Sequence, residues 1–546
     1  MGQEQTGFGT TNKTAGVLPT QTDTNIFVRR SSGLLREMNS KYAFSTNILS
    51  AGFFYSFLYI IWGAVLFPGA NLAEAALIGI VLNIPIALLY YYFTVIMPRS
   101  GGDYIWISRT VFPIVGFVLN LGMIFAMLIW LGSDIPIAIQ DGLAPMLYAL
   151  GLTSGNAIYI TVAHAVNNST VIVAITIIWL LIIGFILTRK TKIFGRVLWA
   201  FFIVAIAADV IYMVSLVLLG HTAFVNNFNR YSGMNYNTLM SLGASHHYPL
   251  SAQVGATLFS TVYIYLNFLG VVFTAYYSGE MKNVQRSAMY SIVLSTIFFG
   301  LVLAAMYSSA YYVFGFGFNQ TIAILSQTGN AAWTLPYTPF PNFLIMLGYP
   351  NSPIGIIVTI GFMVNMIAAM PAYLFVASRN LFAYSFDRII PSFFARVSKG
   401  GAPYGSAILI TIIGVVISLL YIYTPAFEYF LYSTTLMLII YAFVGAMAIF
   451  FPFIKRSIFE SAPGFIKKKI GGVPVLSIIG FLGAASALYG IVASFLPAFG
   501  GVMSPASLAF TFSVYIIGII VYIAAHYLRK AKGLPLEYSF KEIPPL

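Results

Sequence analysis

At 546 residues, 59% hydrophobic and 8% charged, the chain has too little polar material to cover a soluble surface of its size; it reads as a polytopic membrane protein. The formal charge of +13 is not a nucleic-acid footprint, because the basic residues gather in loops on one face. The sequence has no cysteine, which excludes disulfides, thiol catalysis and cysteine-held metal.

Residues 1–42 are rich in Gly, Thr, Asn and Gln, lack a cleavable apolar core, and end in Arg29, Arg30, Arg36 and Lys41. They read as a disordered tail. Windows of roughly twenty apolar residues then place about twelve spans at 44–67, 74–97, 114–139, 170–188, 193–219, 253–277, 287–314, 354–386, 404–424, 428–453, 473–497 and 507–528. The fold class is therefore all-α integral membrane protein. Lys and Arg sit in or beside the tail, 98–113, 189–196, 278–286, 387–403, 454–472 and the C-terminus, with only Arg230 on the opposite side. That asymmetry predicts a cell (plasma) membrane protein with both termini cytoplasmic.

Between spans, Asp103 to Val111 reads as a short amphipathic helix along the inner face. The outer connections 140–169, 220–252 and 315–353 are longer, and Asn319 to Tyr349 is expected to fold back as a cap. Asn168 and Asn319 begin Asn-x-Ser/Thr acceptor patterns there, which arise often by chance. His246-His247 has neither carboxylate nor Cys beside it, so no metal site and no cofactor is expected.

Two spans carry weak points. The first has Trp62-Gly63 and then Pro68; the sixth has Asn267 and Gly270. Helix propensity drops at such places, and freed backbone at membrane depth is tolerated only inside protein or beside a watery cavity. An odd offset of five spans puts the two units in opposite senses across the bilayer, the sequence pointer to an inverted repeat.

Three segments at cytoplasmic helix ends then carry a resemblance. Ser278-Gly279-Glu280-Met281-Lys282-Asn283-Val284-Gln285-Arg286 resembles the Glu-x-Lys-Asn-Pro-x-Arg signature of the amino acid, polyamine and organocation (APC) superfamily permeases. Pro98-Arg99-Ser100-Gly101-Gly102-Asp103-Tyr104 looks like that family's Pro-x-Ser-Gly-Gly-x-Tyr loop, and Ser378-Arg379 through Asp387 to Pro391 like its Ser-Arg…Asp…Pro run. The resemblance covers roughly Tyr42 to Tyr404. It implies a five-plus-five (5+5) inverted-repeat, LeuT-like transporter fold: repeat one at 43–220, repeat two at 253–453, peripheral helices at 473–528 and a cytoplasmic tail at 529–546.

What the resemblance implies for the site is a substrate held by helix ends bared at two breaks. Amides at a helix N-terminus attract a carboxylate, and carbonyls at a C-terminus attract an ammonium. Mapped onto this chain, the first break falls at Ile61, Trp62, Gly63 and Ala64, and the second at Asn267, Phe268, Leu269 and Gly270. Ile61-Trp62-Gly63 keeps only the second glycine of the family's Gly-x-Gly, so Trp62 narrows the site or demands another backbone path. Phe268 and Tyr373 lie near the family's aromatic gates; plain core packing is the competing reading.

Intramembrane carboxylates are rarer and more informative. Asp209 lies roughly 24 Å along the fifth span from its inner end, at ~1.5 Å per residue. No Lys follows Lys192 before Lys282, so the family's fifth-helix lysine is missing. Asp209 is the coupling candidate, a proton carrier or cation ligand, against a structural partner for polar neighbours. Asp134, nearer the outer surface, is a vestibule candidate. Glu280 is expected to join an inner-gate charge network with Arg379, Arg99 or Arg109, against a solvated helix-end pair worth under ~1 kcal/mol.

The expected function is secondary transport of amino acids or related organic cations by alternating access. Proton coupling is the default, with sodium coupling or exchange open; another nitrogenous metabolite such as a polyamine or nucleobase is the alternative substrate. A channel or sensor is less favoured. An intramembrane enzyme has neither Gly-x-Ser-x-Gly nor His-Glu-x-x-His to support it. The expected partners are a small-molecule substrate, H+ or Na+, and the lipid bilayer, with no nucleic acid.

Overall fold

A computed structural model describes residues 32–424, 430–495, 505–533 and 536–540. Within them are 12 helices long and apolar enough to cross a membrane. We number these α1 (Ser40–Leu66), α2 (Leu72–Ile96), α3 (Pro113–Ser154), α4 (Ser169–Leu187), α5 (Thr191–Tyr231), α6 (Val254–Tyr276), α7 (Val284–Phe314), α8 (Pro353–Phe386), α9 (Tyr404–Tyr423), α10 (Ser433–Ile454), α11 (Val475–Phe495) and α12 (Thr511–Ala531). A two-residue hairpin pairing Lys469–Ile470 with Val473–Pro474 joins α10 to α11.

The bundle is apolar on its outside as well as its inside. Ile178, Leu181 and Phe185 on α4, Leu218 on α5, Phe481 on α11 and Ile520 on α12 are all exposed. A soluble protein would not present such a belt; in lipid it has no cost. Without a hydrophobic drive between spans, small residues set how closely helices meet. A Cβ added to Gly445 of α10 would stand 2.6 Å from the Ala484 nitrogen of α11.

Two spans outrun their apolar windows. α3 continues past the expected end at 139 through a π-helical segment, Ala138–Leu143, and on to Ser154. α5 reaches Tyr231 because a second helical stretch follows directly after Gly220, whose φ of 69° turns the chain. The expected outer loops therefore hold helices, including Ala157–Val166, Tyr236–Ser245, Phe316–Gln327 and Pro341–Gly348. The Phe316–Gln327 helix does lie against the outer end of α1, where Gln320 Oε1 accepts from the Gly69 amide at 3.0 Å. Asn319, in that helix, is buried and donates to the Gly315 carbonyl, so its acceptor pattern is not accessible in this fold, whereas Asn168 is exposed.

Both tails are partly built into the bundle. Of the expected N-terminal tail, 1–31 lies outside the described residues, but Met38 is buried between Glu280 and Lys282. Its amide donates to the Glu280 carbonyl and its carbonyl accepts from the Lys282 amide, both at 3.0 Å. Beyond α12, Leu536–Phe540 forms a 3-10 turn whose Phe540 ring lies 4.9 Å from the Arg109 guanidinium. Residues 534–535 and 541–546 of the expected C-terminal tail lie outside the described residues, as do parts of the tenth and eleventh expected spans.

Candidate substrate site

The first span is interrupted, but not where its sequence suggested. Ile61, Trp62, Gly63 and Ala64 lie inside the continuous helix Tyr55–Leu66. The interruption lies about ten residues earlier, between Ser40–Ala51 and Tyr55–Leu66, at Gly52, Phe53 and Phe54. Gly52 holds φ 69° and ψ 100°, a conformation from which a Cβ is largely excluded, and it is what stops the first half-helix. The amides of Phe53 and Phe54 have no hydrogen-bond partner among the described residues. Those two donors open the second half-helix, where bare amides and the helix dipole both favour negative charge.

The sixth span loosens instead of breaking open. Its α-helical turn pattern gives way after Phe268 to a 3-10 segment, Leu269–Tyr276, which narrows the helix as it passes α1. Gly270 makes that passage possible: a Cβ there would lie 2.5 Å from both the Ala51 nitrogen and the Ser50 carbonyl carbon. The two weakened segments thus touch. Asn47, on the inner half of α1, ties them further by donating to the Val271 and Ser291 carbonyls at 2.5 Å each and accepting from Thr274 Oγ1 and Tyr277 OH.

Beside this contact lies a cavity of about 10 Å³, room for roughly one water. Ser50, Ala51, Gly270 and Tyr373 edge it, and Trp130, Leu266, Phe273 and Met437 supply most of its apolar wall. Tyr373 OH donates to the Ser50 carbonyl at 2.8 Å, so the aromatic expected near substrate does reach the break. Trp130 stands edge-on to Tyr55 with ring centroids 5.0 Å apart. Leu269 also lines the space.

The other expected site residues face elsewhere. Phe268 packs edge-on against Phe299 at 5.4 Å, toward α2 and α7. Trp62 meets Tyr59 at 6.0 Å and Phe340 at 6.1 Å, within an aromatic layer closer to the outer surface that also holds Tyr263. Asn267 is buried with neither amide atom hydrogen-bonded among the described residues.

Asp134 lies one helical turn beyond Trp130 on α3, takes a short hydrogen bond from Tyr55 OH on Oδ1, and leaves Oδ2 without a partner among the described residues. Asp209 is buried on α5 with neither carboxylate oxygen bonded among the described residues. Its neighbour Ala208 packs against Gly361 of α8.

The basic end of the bundle holds three buried carboxylates, Glu280, Asp387 and Asp103. Glu280 takes a two-point bond from Arg379, Nε to Oε1 at 2.7 Å and Nη2 to Oε2 at 3.0 Å, and a third from Thr191 Oγ1. Both members of the pair are at most 1% exposed, so this is not the solvated helix-end pair. Asp387 pairs likewise with Arg109 at 2.7 Å to each oxygen and accepts from Tyr104 OH. Asp103 has no cation: it accepts from Tyr90 OH at 2.7 Å, Tyr276 OH at 2.5 Å and Asn120 Nδ2 at 2.6 Å. Burial pushes its carboxyl up to about 6, against the downward pull of those three donors. Asp103 and Asp387 stand in the signature segments and Arg109 is a candidate partner for Glu280, but the sequence predicts neither the donors of Asp103 nor the Arg109–Asp387 pairing and does not single out Asn47; a polar run in an apolar span, Ser45-Thr46-Asn47 then Ser50 before Gly52, is the available signal for the break.

Twelve spans, with α1 and α6 weakened in opposite senses and meeting over an internal cavity, define an APC-type membrane transporter. The sequence profile of the family described as amino acid permease matches residues 37–522, and the chain belongs to that family. It is 21% identical over 478 residues to the branched-chain amino acid permease BcaP of Lactococcus lactis subsp. cremoris (strain MG1363), covering 86% of this chain and 90% of that protein. It is also 25% identical over 269 residues to uncharacterized protein 399 of Sulfolobus islandicus rod-shaped virus 1, across 49% of this chain and 54% of the viral protein's length.

Proposed function

We propose that this protein is a secondary active transporter of amino acids with apolar side chains, working by alternating access in a cell membrane with both termini cytoplasmic. The observation that carries the reading is the contact of Gly270 with the Ser50–Ala51 peptide, beside the bare amides of Phe53 and Phe54. An α-carboxylate fits those donors, the Ser50 and Ala51 end of the inner half-helix offers carbonyls to an ammonium, and the apolar wall suits an aliphatic side chain. The likeness to a branched-chain amino acid permease supports the same substrate class.

The cavity is too small for any amino acid, so the conformation is one closed around the site, and loading requires one end to open. The Arg379–Glu280 and Arg109–Asp387 pairs are the inner latch in this reading. Proton coupling is assigned to Asp209, whose unpartnered carboxylate is costly to keep ionised in a buried setting. Asp134 is assigned to the substrate's ammonium end or to the vestibule just outside it.

The test is uptake into liposomes holding the purified full-length chain. Labelled leucine, isoleucine and valine are expected to accumulate under an imposed inward proton gradient and to exchange in counterflow. Accumulation driven only by sodium would replace the coupling assignment. Saturable uptake of a polyamine or nucleobase but of no amino acid would overturn the substrate class, and unsaturable flux would overturn the carrier.

A further inference from the structure

A second cavity, of about 610 Å³, opens at the basic end of the bundle between the inner half of α1, α5 and the start of α7. Lys41, Lys282 and Arg286 line it, and no Asp or Glu does. All three cations are exposed, and none forms an ion pair among the described residues. Below them the wall turns aromatic: Phe44, Trp199, Phe202 and Tyr290. The Lys41 ammonium lies 5.3 Å from the Trp199 ring, and the Arg286 guanidinium 5.9 Å from the Tyr290 ring. Charge is thus gathered beside aromatic surface, near the starts of α1, α5 and α7.

We propose that this groove binds an anionic membrane lipid, with its phosphate on Lys41, Lys282 and Arg286 and its acyl chains on the aromatic wall. Three unpaired cations facing one space repel each other, and an anion between them removes that repulsion. The aromatic floor favours an amphiphile over a free ion, since a soluble phosphate leaves it uncovered. Lys41 belongs to the inner half of α1, whereas Lys282 belongs to the α6–α7 connection and Arg286 to the first turn of α7. A headgroup seated on all three bridges the half-helix that ends at Gly52 to the segment that follows the sixth span. Ser40 and Ser287 already touch across that seam, Oγ to Oγ at 2.9 Å.

The experiment is a binding titration on the purified full-length protein in neutral detergent, using dioctanoyl phosphatidylglycerol, dioctanoyl phosphatidylcholine, and glycerol phosphate as the soluble headgroup. Tryptophan fluorescence and thermal shift are the readouts, neither of which depends on transport. The lipid glycerol-phosphate probe is expected to bind at least tenfold more tightly than the choline one. The triple change Lys41→Gln, Lys282→Gln, Arg286→Gln is expected to remove that preference. A second triple change, Lys467→Gln, Lys468→Gln, Lys469→Gln, alters net charge equally and is expected to keep it. Equal loss in both variants would reduce the effect to overall charge and overturn the site. Glycerol phosphate binding as tightly as the lipid would overturn the lipid assignment, and no headgroup preference in the wild-type protein would overturn both. A variant that elutes as aggregate is replaced by the single change Lys41→Gln, expected to weaken phosphatidylglycerol by about threefold or more; unchanged binding in it overturns the proposal.

Discussion

Gly270 of α6 lies flat against the Ser50–Ala51 peptide of α1, with no room for a methyl group between them. The two helices are therefore in backbone contact at the point where each departs from regular α-helix, and in the alternating-access reading proposed above this is where their relation changes. Gly270→Ala is expected to push the helices apart. Overpacking of this kind costs about 1–3 kcal/mol, which corresponds to a loss of roughly 5-fold to over 100-fold in the packed arrangement of the two segments. Uptake should fall by that factor in liposomes while the protein still elutes as a monodisperse peak. Wild-type uptake in Gly270→Ala would mean that the two segments need not close on each other.

The Arg379–Glu280 pair has almost no exposure, so removing one partner leaves a charge buried and alone. Glu280→Ala is expected to cost about 3–5 kcal/mol and to lower the thermal midpoint clearly in detergent. Glu280→Asp, which shortens the reach by one methylene, should recover part of it. A Glu280→Ala protein as stable as wild type would place the pair in solvent.

Asp103 gives a pH dependence of defined sign. Its carboxyl holds its proton up to about 6 in the folded protein, against an ordinary value of 3.8. Between those values the folded state binds more protons than the unfolded, so the stabilisation is fully present below about pH 4 and is lost as pH rises through 6. The difference of about two units corresponds to roughly 3 kcal/mol. Thermal midpoints of wild type and Asp103→Asn, compared from pH 4 to 7, should diverge in slope, with the wild type declining more. Parallel curves would show that Asp103 ionises in the fold as it does in water.

The two intramembrane carboxylates separate by readout. Asp209→Asn is expected to abolish stimulation of uptake by an inward proton gradient while leaving counterflow intact. Asp134→Asn, which lies a turn from the cavity wall, should raise KM several-fold and leave the proton response in place. If Asp209→Asn keeps its pH and sodium dependence, that residue is structural.

Much of the architecture is written in the order of residues. Runs of some twenty apolar residues, with basic residues between alternate pairs, point to the number and the alternation of spans, because hydrocarbon requires each backbone group to be bonded internally and continuous runs of that length do so as helices. The three signature segments at the basic helix ends likewise point to the family and offer Arg379, Arg99 or Arg109 as partners for Glu280; only packing decides for Arg379 and gives Arg109 to Asp387. The position of the first break did not. Trp62-Gly63 sits centrally in an apolar window, but the span actually begins at Ser40, inside what composition suggests is tail, because Met38 is held by the chain around Glu280 and Lys282 and Asn39 caps the helix by accepting from the Tyr42 amide. A helix's centre is set by where both its ends are anchored, and the anchor for α1 lies more than two hundred residues away. For the same reason no local pattern marks Asp103 as the member of the three buried inner carboxylates that has no cation among the described residues: its donors come from α2, α3 and α6, and only packing brings them to one point.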